Sequence, residues 1–372
     1  MIRPSSDLQL ATAPLPYHAE LTVERELSGI RIDSFLIRHF RNYTSWRMQR
    51  IVRGGGATIN SAPAQETDRV FEGQTISVRL IEPPDKLLSA SPRGIPVLYN
   101  DPWIVVVDKP AGVIAHPTGE HQTETLINRL QHWADERSPL PGLLRPGLVH
   151  RLDRQTSGVM VAVLHHLSHR RLAEAFEDGR VLKSYVALVE GRMQRDRGEI
   201  RLPIGRARTG RHVLMSARAD ALDARPALTR YAVVQRFADH TLVRAYPATG
   251  RNHQIRVHLA QIGHPLVGDE FYLARGRIRP LRMANEDAGE SAGEHDAAIE
   301  TGLPIRRHAL HAERLSAAHP ITGVWVEWSA PWPQDFREAV AALQSDATFQ
   351  GCAERTKERS KRVDRAAADP TR

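Results

Sequence analysis

Short apolar runs of strand length recur along this chain from residue 97 to about residue 336. The first two, at residues 97–99 and 104–108, are rich in valine and bounded by polar or proline residues, which favours strands. Segments with helical spacing lie between the later runs. Short strands interrupted by helices predict an α+β fold with a largely antiparallel sheet. The clearer helices are expected at residues 126–133 and 172–176, and late strands at residues 242–245 and 324–328.

The composition is that of a globular protein with a basic balance. The 372 residues allow two domains, and 41% hydrophobic with 25% charged residues is ordinary for such proteins. No apolar run approaches the roughly 20 residues of a membrane span, and residues 1–19 lack the pattern of a secretory signal. The only cysteine, Cys352, excludes an intramolecular disulfide and a cysteine-built zinc site. We therefore expect a cytoplasmic protein without a membrane partner.

Proline and charge patterns predict the domain boundaries. Four prolines within residues 82–96 predict a linker between a small unit at residues 20–81 and a larger one at residues 97–340. Residues 1–19 are expected to be a flexible leader. Two further stretches lack apolar periodicity, so we expect an inserted loop at residues 284–301 and a disordered tail at residues 345–372.

The small unit shows a helical stripe followed by strands. Ile32, Phe35, Leu36 and Phe40 lie on one face of a predicted helix. A second helix is expected to follow with Ser45 as its N-cap, and strands are expected at residues 57–60 and 76–80.

The two predicted helices carry a dense group of positive charges. Between residues 34 and 60 there are five arginines and no carboxylate, and the whole chain has a net charge of +8. Like charges repel, so phosphate binding is one explanation of this face, and a merely solvated helical surface is the other. The arginines are Arg38, Arg41, Arg47, Arg50 and Arg53.

One carboxylate stands between two arginines in the middle of the chain. The segment from His150 to Gly158 places Asp153 between Arg151 and Arg154, directly before an apolar run. Opposite charges on both sides favour the ionised form of an aspartate. By itself the pattern fits either a solvated surface turn or a nucleophile or base held ready for reaction.

Four segments of the larger unit together resemble the motifs of the RluA-type pseudouridine synthases. The first is Asp108-Lys109-Pro110-Ala111-Gly112, and the second is the segment around Asp153. The third runs from Lys183 to Gly191 and the fourth from Thr249 to Leu259, followed by Gly268-Asp269. Asn252 replaces the threonine or serine that is usual in the fourth. Residues 20–81 resemble the small RNA-binding domain named after ribosomal protein S-four, although Ser61 replaces a usual glycine and Trp46 a basic or small residue.

The resemblance implies isomerisation of uridine to pseudouridine in RNA. It implies a catalytic domain on a mixed, largely antiparallel sheet, preceded by a small α/β RNA-binding domain. Asp153 would act near C1′ of the target, either by adding to it or by removing the 2′ proton. Tyr185 would stack on the target base, and Arg256 would pair with Asp153. Arg151 would enter the space left by the flipped nucleotide, and Arg251 is open between phosphate binding and a surface ion pair.

The same residues leave other functions open. A non-catalytic RNA-binding or ribosome-associated factor could use this fold, whereas an RNA methyltransferase would need a glycine-rich strand-to-helix turn that we do not find. Large-subunit ribosomal RNA is the expected partner, with transfer RNA as the alternative. We expect a monomer without a cofactor. No metal is expected either, because the neighbouring histidines at residues 165, 166 and 169 lack the usual zinc-binding patterns.

Overall fold

The computed structural model describes residues 17–119, 122–208, 214–279 and 301–345. Two compact units divide the described chain. The first contains the residues up to 154 together with residues 160–178 and 318–326, and the second contains the remainder. The predicted inserted loop, apart from Thr301, and the predicted tail after residue 345 lie outside the described residues, as do residues 1–16 of the predicted leader.

A four-stranded antiparallel sheet with two helices opens the first unit. Its strand order is β1-β4-β2-β3, and Leu21 of β1 lies opposite Ile76 of β4. A 3-10 helix, Arg25–Leu27, follows the first strand. The elements are β1 (Tyr17–Thr22), α1 (Ile32–His39), α2 (Ser45–Arg53), β2 (Ala57–Ile59), β3 (Ala62–Pro63) and β4 (Thr75–Leu80).

The helical stripe predicted for this region is confirmed. Ile32, Phe35, Leu36 and Phe40 are all buried in one apolar cluster. Two boundaries differ from the prediction. The cap of α2 is Thr44, whose side chain accepts a hydrogen bond from the Arg47 amide, so Ser45 is already helical. The first strand begins at Tyr17, within the predicted leader, because pairing with β4 orders this segment.

The rest of the first unit follows a segment without helix or strand at residues 82–96. This predicted linker is packed: the Tyr43 hydroxyl donates to the Glu82 carbonyl, and the Asn42 carbonyl accepts from the amides of Asp85 and Lys86. The following strands β5 and β6 pair antiparallel, and β7 pairs antiparallel with the end of β8. The elements are β5 (Val97–Asn100), β6 (Ile104–Lys109), α3 (Leu126–Asp135), β7 (Gly147–Leu148), β8 (Ser157–Val163) and α4 (His166–Glu177).

A mixed sheet forms the second unit. Its order is β10-β14-β15-β9-β18, with antiparallel neighbours, whereas β18 runs parallel to the first residues of β8. The predicted α+β fold on a largely antiparallel sheet is thereby confirmed. The larger strands and the helix are β9 (Leu182–Glu190), β10 (Arg197–Ile200), β14 (Thr229–Arg236), β15 (His240–Pro247), α5 (Gln254–Gln261) and β18 (Leu310–Ala318).

Smaller elements complete the second unit. A three-stranded sheet has the order β12-β11-β13, and β16 pairs with β17. A further helix covers residues 334–345. Within the described ranges, none of the helices has the length and apolar character needed to cross a bilayer. The short elements are β11 (Ile204–Arg206), β12 (Met215–Ser216), β13 (Leu222–Arg225), β16 (Tyr272–Leu273), the 3-10 helix Ala274–Gly276, β17 (Arg277–Ile278) and β19 (Trp325–Ser329).

Candidate active site

The first half of the His150–Gly158 segment is held through its main chain. Lys109, at the end of β6, is fully buried, and its ammonium donates to the carbonyl of Arg154 at 3.1 Å. The same ammonium donates to the carbonyls of Pro110 and Val113 at 2.9 Å. The Gly112 amide also donates to the Arg154 carbonyl, at 2.8 Å. The Lys109–Gly112 segment therefore fixes the backbone directly after Asp153, which gives Lys109 a structural role.

Two contacts hold His150, the first residue of this half. The His150 ring stacks on Phe176 of α4 with centroids 4.5 Å apart, and its Nε2 accepts a hydrogen bond from the Val161 amide. Leu152 is buried, whereas Arg151 is exposed and Asp153 half-buried. Both charged side chains are thus more exposed than the apolar Leu152 between them.

The second half of the segment is held through its side chains. The Thr156 hydroxyl lies 2.8 Å from His308 Nε2, and the Ser157 hydroxyl lies 3.0 Å from His311 Nδ1. Arg307 donates to the Gln155 carbonyl at 3.0 Å and to the Ser157 hydroxyl at 3.3 Å. All these groups belong to the second unit, where β18 and the residues before it form a rigid support.

Arg307 is itself oriented by a carboxylate. Its guanidinium forms a two-point ion pair with Asp335, with N–O distances of 2.7 and 3.1 Å. The next residue of the segment, Gly158, has φ of +117° and packs directly on β18. A Cβ at this position would lie 2.2 Å from the carbonyl oxygen of Ala312, so only glycine fits.

Tyr185 lies in the middle of β9 in the second unit. It faces Ala245 of β15 on one side and Ala312 of β18 on the other. Its ring is half-buried and packs against a core that includes Ile255 and Leu259 of α5.

Arg256 is buried on α5 and forms an ion pair with Asp269. Its Nε and Nη2 lie 2.9 and 2.8 Å from the two carboxylate oxygens, in a fork-like geometry. Asp269 also accepts hydrogen bonds from the amides of Phe271 and Tyr272. The rings of these two residues each lie 5.2 Å from the guanidinium carbon, so the plane of Arg256 is set by its surroundings.

The turn before α5 carries Arg251. The Arg251 Nε donates to the Pro226 carbonyl at 3.1 Å, and its amide donates to the Gln254 side chain. Asn252 is exposed, and His253 adopts the left-handed conformation with φ of +52° at the start of the helix. His258 on the same helix is a satisfied core histidine, because both ring nitrogens have hydrogen-bond partners.

The five arginines of the predicted phosphate-binding face fall into two groups. Arg47 pairs with Glu82 and Asp85, Arg50 pairs with Glu82, and Arg53 pairs with Glu66 at 2.8 Å. These carboxylates lie beyond residue 60, outside the stretch from which the face was predicted. Arg38 and Arg41, by contrast, form no ion pair within the described part of the chain.

Arg38 and Arg41 line a cavity of about 730 Å³ in the first unit. Lys86 and Arg145 line it as well, and they too form no ion pair with any described residue. Burial and the neighbouring Arg145 charge lower the pKa of Arg41, and its Nη1 atom is buried without a hydrogen-bond partner. Glu26, Glu174 and Glu177 also line the cavity, but among the described residues none of them forms an ion pair with these four cations, which can therefore attract an anion.

The comparisons with known proteins agree with these segments. The family model described as RNA pseudouridylate synthase matches residues 103–261, which include Asp153, Tyr185 and Arg256. The chain is also 32% identical over 342 residues to "Ribosomal large subunit pseudouridine synthase D" of Pseudomonas aeruginosa, a match that covers 92% of this chain and 98% of the relative. The chain belongs to the RNA pseudouridylate synthase family. Its activity is that of an RNA pseudouridine synthase, as the sequence predicted.

Further relatives support the same family and fold. The synthase is 32% identical over 327 residues to "Uncharacterized RNA pseudouridine synthase YlyB" of Bacillus subtilis, with 88% of this chain and 98% of the relative covered. Among solved structures it resembles "Human RNA Pseudouridylate Synthase Domain Containing 4" with a TM-score of 0.50 and 25% identity, over 67% of this chain and 93% of the human one.

Several residues that organise the site in this synthase were not singled out from the sequence. Arg307 and His308 lie more than 150 residues after the segment that they support, and Asp335 follows still later. Asp269 was quoted within a motif but without its role as the partner of Arg256. No local sequence pattern links these residues to the segment around Asp153.

Proposed function

We propose that Asp153 is the carboxylate that acts on the target uridine of this synthase. The observation that carries this proposal is its position directly before Arg154, whose carbonyl is bound by Lys109 and Gly112. A catalytic group needs a rigid support, and a backbone anchor supplies it without occupying the carboxylate. The family resemblance of the surrounding segment supports the same role.

The reaction is an isomerisation in which atoms and charge balance within the substrate. The bond between N1 and C1′ breaks, the base turns, and a bond forms between C5 and C1′. The C5 proton is then lost and N1 takes up a proton. An aspartate suits the first step because it is anionic at neutral pH and can add to C1′ or remove the 2′ proton.

The other proposed residues follow from the resemblance and from their surroundings. Tyr185 would stack on the base, and its hydroxyl would assist the proton transfer at C5. Arg256 would keep Asp153 ionised through a charge-assisted hydrogen bond, from a guanidinium whose plane Asp269 fixes. Arg151, an exposed cation, would fill the space vacated by the flipped nucleotide, which reduces the cost of unstacking.

Replacement of Asp153 by asparagine tests the catalytic role. We expect pseudouridine formation to fall by at least about 10⁴-fold, because the amide can neither add to C1′ nor take a proton. The matched control is Asp178→Asn at the end of α4, which lies outside the proposed site. Equal activity of the Asp153→Asn variant and wild type would contradict the proposal, provided that both variants unfold at the same temperature.

A labelled substrate distinguishes the two chemical routes. RNA with deuterium at the 2′ position of the target uridine should react more slowly if Asp153 removes the 2′ proton. Addition to C1′ leaves that bond intact, so the rate should then be nearly unchanged. The comparison uses single-turnover rates with labelled and unlabelled RNA.

We propose large-subunit ribosomal RNA as the substrate. Several relatives from different bacteria bear the name "Ribosomal large subunit pseudouridine synthase D" and are 32–34% identical to this chain. Purified enzyme incubated with ribosomal and transfer RNA, each unmodified, should form pseudouridine in the large-subunit RNA. Modification confined to transfer RNA would overturn the substrate assignment but would leave the activity intact.

The cavity lined by Arg38 and Arg41 is proposed to bind the phosphate backbone of that RNA. Unneutralised charges gain more from phosphate than charges that already hold carboxylates, so Arg38 and Arg41 should contribute more than Arg47, Arg50 and Arg53. Arg251, whose Nε meets a carbonyl rather than a carboxylate, is proposed as a further phosphate contact. Loss of one phosphate contact should lower the slope of the logarithm of the binding constant against the logarithm of the salt concentration by about one.

Paired variants test this ranking. Arg41→Ala should weaken RNA binding and reduce its salt dependence, whereas Arg53→Ala, whose side chain pairs with Glu66, should change both less. Binding is measured by fluorescence anisotropy at several salt concentrations. A larger effect of Arg53→Ala would place the phosphate contacts on α2 and overturn the role of the cavity.

A further inference from the structure

Four potential metal ligands meet in the first unit and include two residues, His165 and His166, that follow Asp153 by 12 and 13 positions in the sequence. Glu24 directly precedes the 3-10 helix Arg25–Leu27, and His39 is the last residue of α1. His165 is the N-cap of α4, and His166 is its first residue. One ligand atom from each residue lies within 4.8 Å of all the others.

The distances are close to those of a metal site. His39 Nε2 lies 3.5 Å from Glu24 Oε2, and the Nε2 atoms of His166 and His165 lie 3.7 and 3.9 Å from Glu24 Oε1. A tetrahedral zinc ion with bonds of about 2.0–2.2 Å separates its ligand atoms by roughly 3.3–3.5 Å. Small side-chain rotations therefore suffice to close the four groups around one ion.

Three of the four residues have buried ligand atoms whose nearest polar neighbours are in the cluster itself. Glu24 Oε2, His39 Nε2 and both ring nitrogens of His166 are buried, and none has a partner at hydrogen-bond geometry among the described residues beyond the Glu24–His39 ion pair at 3.5 Å. The side chain of His39 is only 4% exposed and that of His166 is 12% exposed. Buried polar atoms without hydrogen bonds destabilise a fold, and one bound ion would satisfy several of them at once.

We propose that Glu24, His39, His165 and His166 form a binding site for one zinc ion. Three imidazoles and a carboxylate are ligands that zinc accepts, and four protein ligands with no open position are typical of a structural rather than a catalytic site.

The proposal departs from the expectation that this protein has no metal. That expectation considered only the histidines near residue 165, and the other two ligands are more than 120 residues earlier in the sequence. Of the nearby histidines, His169 is absent from the cluster and lines the cavity beside Arg41 instead.

The four ligands should contribute unequally. His165 Nδ1 accepts a long hydrogen bond of 3.3 Å from the Leu167 amide, which places the ring proton on Nε2. To bind zinc through Nε2, His165 must give up this bond. His166 has no such competing bond in the described chain, so its removal should weaken zinc binding more.

The ion would join two parts of the first unit. Glu24 and His39 belong to the segment that contains the four-stranded sheet, and the other two ligands begin α4. Ion pairs of Glu26 with Arg170 and Arg171 already connect these parts nearby, at 3.5 and 2.9 Å. These exposed pairs are weak individually, so a metal would be the stronger link.

Zinc binding to the full-length chain tests the proposal. Protein treated with a chelator is titrated with zinc sulfate and passed through gel filtration. Bound zinc is then measured by inductively coupled plasma mass spectrometry. We expect one zinc ion per chain. In His166→Ala and Glu24→Gln the affinity for zinc should fall by more than the ~10–100-fold that loss of an outer-shell partner costs, because these variants lose a direct ligand. His165→Ala should lose less, and the control His132→Ala on α3 should bind zinc normally.

A second measurement guards against variants that fail to fold. Zinc should raise the unfolding temperature of wild type and His132→Ala, but not that of Glu24→Gln, which keeps the size of the side chain. Cobalt in place of zinc should give the visible absorption of tetrahedral coordination. Equal zinc binding and equal thermal shifts in wild type, His166→Ala and Glu24→Gln would overturn the proposal.

Discussion

The two halves of the His150–Gly158 segment are supported in different ways. Up to Arg154 the support comes through the main chain, whose carbonyl is held by the buried Lys109 ammonium and the Gly112 amide. From Gln155 onward the support comes largely through side chains, because the hydroxyls of Thr156 and Ser157 form hydrogen bonds with the rings of His308 and His311.

The difference separates residues for chemistry from residues for structure. A main-chain anchor leaves the neighbouring side chains to other partners, including a substrate. A side-chain anchor uses the functional groups themselves and leaves little for chemistry. We therefore propose that Arg151 and Asp153 take part in the reaction, whereas Thr156, Ser157 and Gly158 hold the segment against β18 and the residues before it.

Lys109→Met should have the largest effect and would test the first half. Methionine keeps the length of the side chain but removes the donor that the carbonyls of Pro110, Val113 and Arg154 share, and a buried acceptor left unsatisfied costs about 1–3 kcal/mol. We expect the free energy of unfolding to fall by about 3 kcal/mol or more, and kcat to fall because Asp153 loses its support. Unfolding by urea and single-turnover kinetics measure the two effects.

The matched control for this change is Lys86→Met, since Lys86 is exposed and binds none of these carbonyls. It should unfold at nearly the wild-type urea concentration. If Lys109→Met behaved like Lys86→Met in urea, the main-chain anchor would not be holding the segment.

Gly158→Ala tests the second half and should have the next largest effect. The new methyl group would clash with Ala312, and φ of +117° disfavours any residue with a Cβ. Overpacking and backbone strain together should lower stability by about 2–4 kcal/mol. Thermal unfolding measures the loss. Gly323→Ala, with φ of +72° in open space, should lose only the strain of about 1–2 kcal/mol.

A smaller effect should appear only in acid. Burial lowers the pKa of His311 to about 4, whereas an unfolded histidine titrates near pH 6.5. Between these values the unfolded chain binds the extra proton, so His311 makes stability fall as the pH falls from about 6.5 to 4. In His311→Asn the free energy of unfolding should depend less steeply on pH, by the equivalent of up to about one bound proton. The first half of the segment should stay intact.

Denaturant unfolding of wild type and His311→Asn across this pH range measures the two slopes. An unchanged slope in His311→Asn would mean that the ring of His311 takes up its proton over the same pH range in the folded and the unfolded chain.

Local patterns predicted much of the fold. The stripe of Ile32, Phe35, Leu36 and Phe40 specified a helix face because only a period near 3.6 residues places them together. Alternation at Ile76, Val78 and Leu80 likewise specified β4. The predictions were wrong at the ends of two elements. Thr44 rather than Ser45 caps α2, and β1 begins at Tyr17, within the predicted leader. Both ends depend on contacts with other segments, which a local pattern does not contain.

The arginine face shows why local patterns fail for charges. The stretch around Arg47, Arg50 and Arg53 contains no carboxylate, but Glu66, Glu82 and Asp85 lie beside these side chains after folding. Of the five, only Arg38 and Arg41 have no ion pair with another residue that the structure describes, which is the state that the sequence suggested for all of them. Ion pairs form through space, so a window of the sequence cannot exclude them.

The sequence by itself determined the family, the α+β fold and the aspartate at the centre of its best-defined motif, because hydrophobic period and ordered motifs are encoded locally. Tertiary structure decided which residues support that motif, which arginines remain without carboxylates, and that Glu24 and His39 meet His165 and His166. These are contacts between residues far apart in the chain, and only the packed fold brings their atoms within a few ångströms.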